Sequence, residues 1–193
     1  MSNLPFPLKM NMVLLCVFVL LQRTAEAHGF GGSGFLHPLT GIDHLVAMLA
    51  VGVWSAQIGG KAIWIVPSCF VLMMMTGGLL GLQTTIPLPI EWLIACSVVL
   101  LGAAIWWNRR LSLWIAGCGV AFFGFSHGYA HGLEIPSLVH PTIYIIGFLT
   151  TTIGLHVVGA TGGLLILEER NGQKILKWLG RMIGCIGICL ILR

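Results

Sequence analysis

The composition of this 193-residue chain argues against a water-covered surface: 57% of the residues are hydrophobic, only 8% are charged, and the mean hydropathy is +0.96. Soluble domains carry about a quarter charged residues, so these values indicate an integral membrane protein surrounded by a lipid bilayer. The formal net charge is +4, and no basic block with interleaved aromatics indicates a nucleic-acid partner. The sequence also lacks the strand-like alternation of apolar and polar residues, so we expect an all-α helix bundle.

The first 27 residues have the layout of a secretory signal peptide. Lys9 precedes a short apolar core, Met10–Leu21, and Ala25-Glu26-Ala27 supplies the small residues of a cleavage site. This core is short for a membrane span, which takes about 20 residues. We therefore predict cleavage after Ala27, with an uncleaved first helix as the alternative. In both cases His28 emerges on the outer side of the membrane.

Beyond His28, apolar runs separated by short polar segments predict one transmembrane domain over residues 28–193. Each run is close to the length that crosses about 30 Å of hydrocarbon. Six transmembrane helices are predicted: Leu36–Ile58, Ile63–Leu82, Glu91–Trp107, Leu111–Ala130, Thr142–Leu167 and Ile175–Leu192.

The basic residues predict the orientation of these helices. With the N-terminus of the mature chain outside, the connecting segments on the outer side contain no lysine or arginine, and Arg193 at the C-terminus is the one exception. This asymmetry follows the positive-inside rule for a multi-pass protein. The connecting segments on the inner side hold Lys61, Arg109, Arg110, Arg170 and Lys174.

Two polar segments are expected to meet at the outer ends of the first and fourth helices. The first, GFLHPLTGIDHL, carries His37, Asp43 and His44, and the second, FSHGYAHGLEIP, carries His127, His131 and Glu134. Ionisable groups inside a membrane are costly and usually mark a pathway or a binding site. Hydrogen bonding at a wet interface explains any one of these histidines, but it explains the whole set poorly.

The spacing within each segment favours a metal site. His127, His131 and Glu134 are spaced i, i+4, i+7 and share one helix face, where two imidazoles can hold a divalent ion and a carboxylate can add charge. His37 and His44 also share a face if the first helix continues through Pro38, whereas Asp43 is expected to point toward a neighbouring helix.

Glycines and a deeper histidine accompany these segments. Gly124, Gly128 and Gly132 follow one another at four-residue intervals, which lets helix backbones approach closely, and we expect the first helix as their partner. His156 lies about 20 Å along the fifth helix at 1.5 Å per residue. It is either a relay deeper in the membrane or a satisfied interhelical histidine.

The segments HPLTGIDHLVAM (37–48) and FSHGYAHGLE (125–134) resemble the two signature segments of the HupE/UreJ family. Members are small bacterial membrane proteins implicated in uptake of nickel and in some cases cobalt. The resemblance extends over the whole chain and implies a permease of the bacterial inner membrane rather than an enzyme. It also implies metal-handling roles, which fall on His37, Asp43, His44, His127, His131 and Glu134.

The expected mechanism is inward carriage of Ni²⁺, or Co²⁺, without a resident cofactor. His28 and His37 would recruit the hydrated ion, the deeper histidines would bind it, and Asp43 and Glu134 would offset its charge. Imidazole suits nickel, copper and zinc alike, so the ligand types leave the metal open. The chain has no P-loop for nucleotide hydrolysis, and assembly into a homo-oligomer stays open.

Two other functions fit the same residues. An intramembrane zinc-dependent hydrolase of the ceramidase type would place zinc among the histidines, with Ser126 beside them. A haem-binding or metal-sensing subunit would use two facing histidines as axial ligands. A zinc-dependent lipid hydrolysis would identify the first, and a Soret band would identify the second.

Overall fold

Six long helices follow one short helix in the part of the chain that the computed structural model describes, residues 34–108, 111–135 and 140–193. The predicted signal peptide and His28 lie outside these residues. The helices are α1 His37–Thr40, α2 Ile42–Ile58, α3 Ala62–Gln83, α4 Ile90–Trp107, α5 Leu113–Glu134, α6 Pro141–Glu168 and α7 Gly172–Ile191.

The helix bounds agree with the predicted spans to within a few residues, with two differences that matter for the site. The first predicted helix is broken at Gly41, where the backbone turns extended (φ −85°, ψ 114°). His37 and His44 therefore belong to separate helices, so the predicted continuous helix Leu36–Ile58 is wrong and the condition for a shared face is not met. In addition, α5 continues past its predicted end at Ala130 to Glu134, so His131 and Glu134 are helical.

Three of the described helices, α3, α4 and α6, are long and apolar enough to cross a membrane. Within their most apolar windows only 22–39% of the residues are buried inside the bundle. Large side chains such as Trp64 and Leu165 point outward instead. The apolar helix α2 is shorter, with 17 residues. These features are those of a helical membrane protein, and the crossing of the remaining helices stays a prediction.

Glycines bring the helices together in close pairs. A side chain at Gly124, Gly128 or Gly132 of α5 would collide with the backbone of α3 at Phe70, Met74 and Gly78 respectively. The glycines are thus packing residues, as predicted. Their partner, however, is α3 rather than the first helix, because the histidines occupy the face of α5 that turns toward α2.

Two further pairs are built in the same way. Gly52 of α2 lies against the backbone of His156 in α6, and Gly159 of α6 lies against the backbone of Leu49. Helices α4 and α7 meet at Gly102 and Gly180. The bundle therefore consists of three glycine-packed pairs, α2 with α6, α3 with α5, and α4 with α7.

Successive helices run in opposite directions, so the starts of α2, α4 and α6 share one end of the bundle with the ends of α3, α5 and α7. Tyr129 stabilises the α3–α4 connection at this end through hydrogen bonds of its hydroxyl. Its hydroxyl accepts the N–H of Ile86 at 2.5 Å and donates toward the carbonyls of Thr84 and Ile86 at 3.1 and 3.2 Å. The basic residues Lys61 and Arg170 lie in turns at the opposite end.

Candidate metal centre

Four histidines from two distant parts of the sequence come together where α2 begins and α5 ends. We refer to His37, His44, His127 and His131 as the histidine cluster. The ring of His131 is central, with its centroid 4.2 Å from that of His44 and 4.6 Å from that of His37. The rings of His44 and His127 are 4.9 Å apart. The predicted meeting of the two segments is therefore present in the structure.

The helical spacing of α5 and its glycine face explain how His127 and His131 reach the interior. The two residues are one turn apart and lie on the same face. Since the glycines of α5 press against α3, the helix can bury both rings, which are 0% and 3% exposed. The Phe148 ring of α6 covers His131, with the centroids 4.1 Å apart. Burial removes water from these two imidazoles.

Asp43 turns back onto its neighbour His44 rather than toward another helix, which corrects the expected direction. Its Oδ1 lies 2.7 Å from His44 Nδ1 and also accepts the backbone N–H of His44 at 2.8 Å. A carboxylate in this position holds the proton on Nδ1 and leaves Nε2 unprotonated and able to bind a metal. Nε2 of His44 is buried and has no hydrogen-bond partner among the described residues.

Gly41 provides the space for this arrangement. A Cβ at this position would lie 2.9 Å from the Asp43 carboxylate and 3.1 Å from the His44 ring. The break between α1 and α2 and the orientation of the two side chains therefore depend on the same glycine.

Ser97 of α4 orients His127 in a similar way. Its hydroxyl donates to the carbonyl of Ile94 at 2.6 Å, so its oxygen is left to accept from His127 Nε2 at 3.0 Å. This arrangement places the proton on Nε2 and makes Nδ1 the free acceptor. Nδ1 is buried and unpaired within the described part of the chain. Both His44 and His127 thus present one unprotonated nitrogen.

His37, His131 and Glu134 form the group best placed to hold an ion together. One ligand atom from each lies within 4.8 Å of the others. Nε2 of His37 is 3.4 Å from Glu134 Oε2, and Nδ1 of His131 is 3.8 Å from the same oxygen. Ligands bound at about 2.1 Å lie roughly 3–3.5 Å apart, so a small closure of the side chains would suffice.

The side chains of the three candidate ligands differ in exposure, which suits entry of an ion from one side. The side chain of Glu134 is 50% exposed, that of His37 is 20% exposed, and that of His131 is 4% exposed. An ion arriving at this end of the bundle would meet the acidic group first and the buried imidazole last.

Two residues of the site were not predicted from the sequence, Ser97 and Glu91. Glu91, in the first turn of α4, interacts electrostatically with His44, Asp43 and Glu134. Glu91 also interacts electrostatically with Arg193, so the C-terminus lies at the same end of the bundle. Glu91 could have been placed near the site from the predicted topology, because its predicted helix begins on the same side of the membrane as the histidines.

Ser126 does not join the site as the hydrolase interpretation requires. Its hydroxyl donates to the carbonyl of Phe122 in its own helix at 3.1 Å. His140 is exposed at the start of α6. His28 lies outside the described residues, so its predicted role in recruiting an ion stays a prediction.

Long apolar helices with lipid-facing side chains and histidines buried at one end define the class: a helical membrane protein with a candidate metal centre. The family model for the HupE / UreJ protein matches residues 12–190. Protein HupE of Rhizobium leguminosarum bv. viciae is 39% identical over 178 residues, covering 89% of this chain and 92% of that protein. No solved structure matches the chain. The chain belongs to the HupE/UreJ family, which is associated with nickel and cobalt uptake and consists generally of transporters rather than enzymes.

Proposed function

We propose that this protein is an inner-membrane permease that takes up a divalent transition metal, with Ni²⁺ as its cargo and Co²⁺ as the second candidate. The observation that carries the proposal is the convergence of four histidines and Glu134 at one end of the bundle. Unpaired buried imidazole nitrogens are costly unless they serve a ligand. Family membership supports the same class of activity.

In the proposed mechanism the ion loses water in stages. Glu134 and His37 capture the hydrated ion because they are the more exposed ligands. His131 then replaces water. The His44 ring contacts that of His131, and the His127 ring contacts that of His44. The carboxylates of Asp43, Glu134 and Glu91 offset the divalent charge, which is expensive to bring into a medium of low dielectric constant.

The proposed topology has six crossings with the histidine cluster toward the outer side. Lysines and arginines of the connections then face the cytoplasm, as the positive-inside rule requires. Helices α5 and α7 cross despite their polar residues. The histidines of α5 are buried in the bundle, and the Arg181 guanidinium of α7 lies over the Trp106 and Trp178 rings at 5.6 and 4.6 Å. Such pairing lowers the cost of a charge near the interface.

Uptake of labelled metal tests the proposal directly. Cells that express the wild-type chain should accumulate ⁶³Ni²⁺ or ⁵⁷Co²⁺ above empty-vector cells, and His131→Ala should abolish accumulation although the protein stays in the membrane. His140→Ala is the matched control, because it removes an exposed histidine outside the cluster. Competition with Zn²⁺ and Cu²⁺ identifies the preferred metal, since the ligand types alone do not. Full uptake by His131→Ala would contradict the site assignment.

A further inference from the structure

His156 is a buried histidine that the histidine cluster does not use. It is 3% exposed, and neither of its ring nitrogens has a hydrogen-bond partner among the described residues. A histidine that merely joins helices would donate at least one hydrogen bond. The interpretation of His156 as a satisfied interhelical residue therefore does not fit the structure.

Thr152 repeats this pattern one turn earlier on the same face of α6. Its side chain is fully buried, and its Oγ1 is unpaired within the part of the chain that the structure describes. Two other threonines of α6, Thr150 and Thr161, donate their hydroxyls to carbonyls of their own helix, and Thr151 donates to the carbonyl of Phe35. Thr152 and His156 thus present an oxygen and two nitrogens that no group of the described residues satisfies.

A single aromatic ring separates His156 from the histidine cluster. The Phe70 ring of α3 lies 5.5 Å from that of His127 and 5.1 Å from that of His156, centroid to centroid. Phe70 is itself fully buried. The imidazoles of the cluster and His156 therefore form one series of neighbouring rings, interrupted only by this apolar side chain.

His156 also borders an opening on the lipid-facing surface of the bundle. It lines an open cavity of about 540 Å³ between α3 and α6, whose wall includes the largely exposed side chains of Trp64 and Leu72 as well as Pro67. Pro67 has no N–H to donate to the carbonyl of Ile63, which lines the same cavity.

We propose that His156, together with Thr152, is a second ligand position that the ion reaches from the histidine cluster after passing the Phe70 ring. The inference rests on the proposed transport function and adds a transit position to it. His156 and Thr152 offer few ligands and no carboxylate, so the position holds the ion weakly. Weak, successive sites are what conduction requires, because an ion must leave each of them.

The experiment compares binding with transport for His156→Phe, which keeps an aromatic ring of similar size. Binding of ⁶³Ni²⁺ to purified protein in detergent is measured by equilibrium dialysis, and uptake is measured in proteoliposomes per mole of inserted protein. We expect the dissociation constant at the cluster to stay within about twofold of the wild-type value, and uptake to fall at least about tenfold. His156→Gln should behave in the same way, because an amide is a poor nickel ligand.

Thr161→Val is the matched control, because it alters the wall of the same cavity at a hydroxyl that is bonded to its own helix. It should transport as the wild type does. Uptake by His156→Phe and His156→Gln within twofold of the wild type would overturn the transit position. So would loss of binding in both variants, because His156 would then support the cluster. Absence of metal uptake by the wild type would instead refute the proposed function.

Discussion

The carboxylate of Asp43 holds the imidazole of its own neighbour, His44, with Oδ1 2.7 Å from Nδ1 and 2.8 Å from the backbone nitrogen. Adjacent residues of a helix normally point about 100° apart. The contact arises here because Asp43 is in the first turn of α2, where a side chain can fold back onto a free backbone N–H. One carboxylate thus lies at the start of the helix and orients the imidazole of His44.

Replacement of Asp43 by asparagine should reduce metal uptake by about 10–100-fold, because the carboxylate that fixes the His44 proton on Nδ1 is lost. The protein should remain in the membrane at its usual level. Uptake of ⁶³Ni²⁺, normalised to an immunoblot, measures the effect. Glu169→Gln is the matched control, since Glu169 is an exposed acid at the other end of the bundle. An equal loss of uptake in Asp43→Asn and Glu169→Gln would indicate an effect of net charge rather than of the contact with His44.

Replacement of Ser97 by alanine should weaken metal binding by about tenfold, because His127 loses the partner that sets its tautomer. Ser55→Ala provides a comparison, because the buried Ser55 hydroxyl donates only to the carbonyl of Gly52 in its own helix. Equilibrium dialysis of both purified variants gives the two affinities. If Ser97→Ala binds nickel as tightly as Ser55→Ala does, His127 needs no orientation by Ser97.

Replacement of Gly128 by alanine should lower the free energy of unfolding by about 1–3 kcal/mol, because the new methyl group would meet the backbone of Met74. Gly119→Ala lies on the same helix with open space around it and should be neutral or slightly stabilising. Thermal unfolding in detergent, followed by circular dichroism, compares the two. Identical curves would show that the contact between α3 and α5 tolerates a side chain.

The two tyrosines of the chain should respond differently to removal of their hydroxyls. Tyr129→Phe should lower the free energy of unfolding by about 1–3 kcal/mol, since the N–H of Ile86 loses its hydrogen-bond partner. Tyr144→Phe should change stability little, because the Tyr144 hydroxyl is unpaired within the described ranges. Limited proteolysis of the segment 84–89 should quicken only in Tyr129→Phe. If segment 84–89 of Tyr129→Phe is cleaved no faster than that of the wild type, other contacts hold the α3–α4 connection in place.

Much of this architecture could be predicted from the sequence, because long apolar runs and short polar breaks leave few alternatives to a helix bundle. The meeting of the two histidine segments also followed, since helix direction alternates and both segments lie at the same end. Their i, i+4 spacing fixes a common face whatever the tertiary structure is.

Other features depend on atoms that a linear pattern does not locate. Pro38 suggested a helix start, but the break falls at Gly41, where the bonds of Asp43 and His44 compete with a continuing helix. The glycines of α5 specify a close approach without specifying the partner. Ser97 carries no sequence signal, because a serine within an apolar helix usually bonds its own backbone. Ser97 does so and also accepts from a neighbouring helix.

The three glycine-packed pairs have a consequence for how an ion could be released. Backbone contact at Gly52 and Gly159 joins α2 rigidly to α6, and contact at Gly124 and Gly128 joins α5 to α3. The closest imidazole contact, between His44 and His131, crosses from the first pair to the second. A small shear of one pair past the other would therefore separate these two imidazoles without unwinding any helix. Opening the coordination sphere and sliding the pairs would then be the same movement.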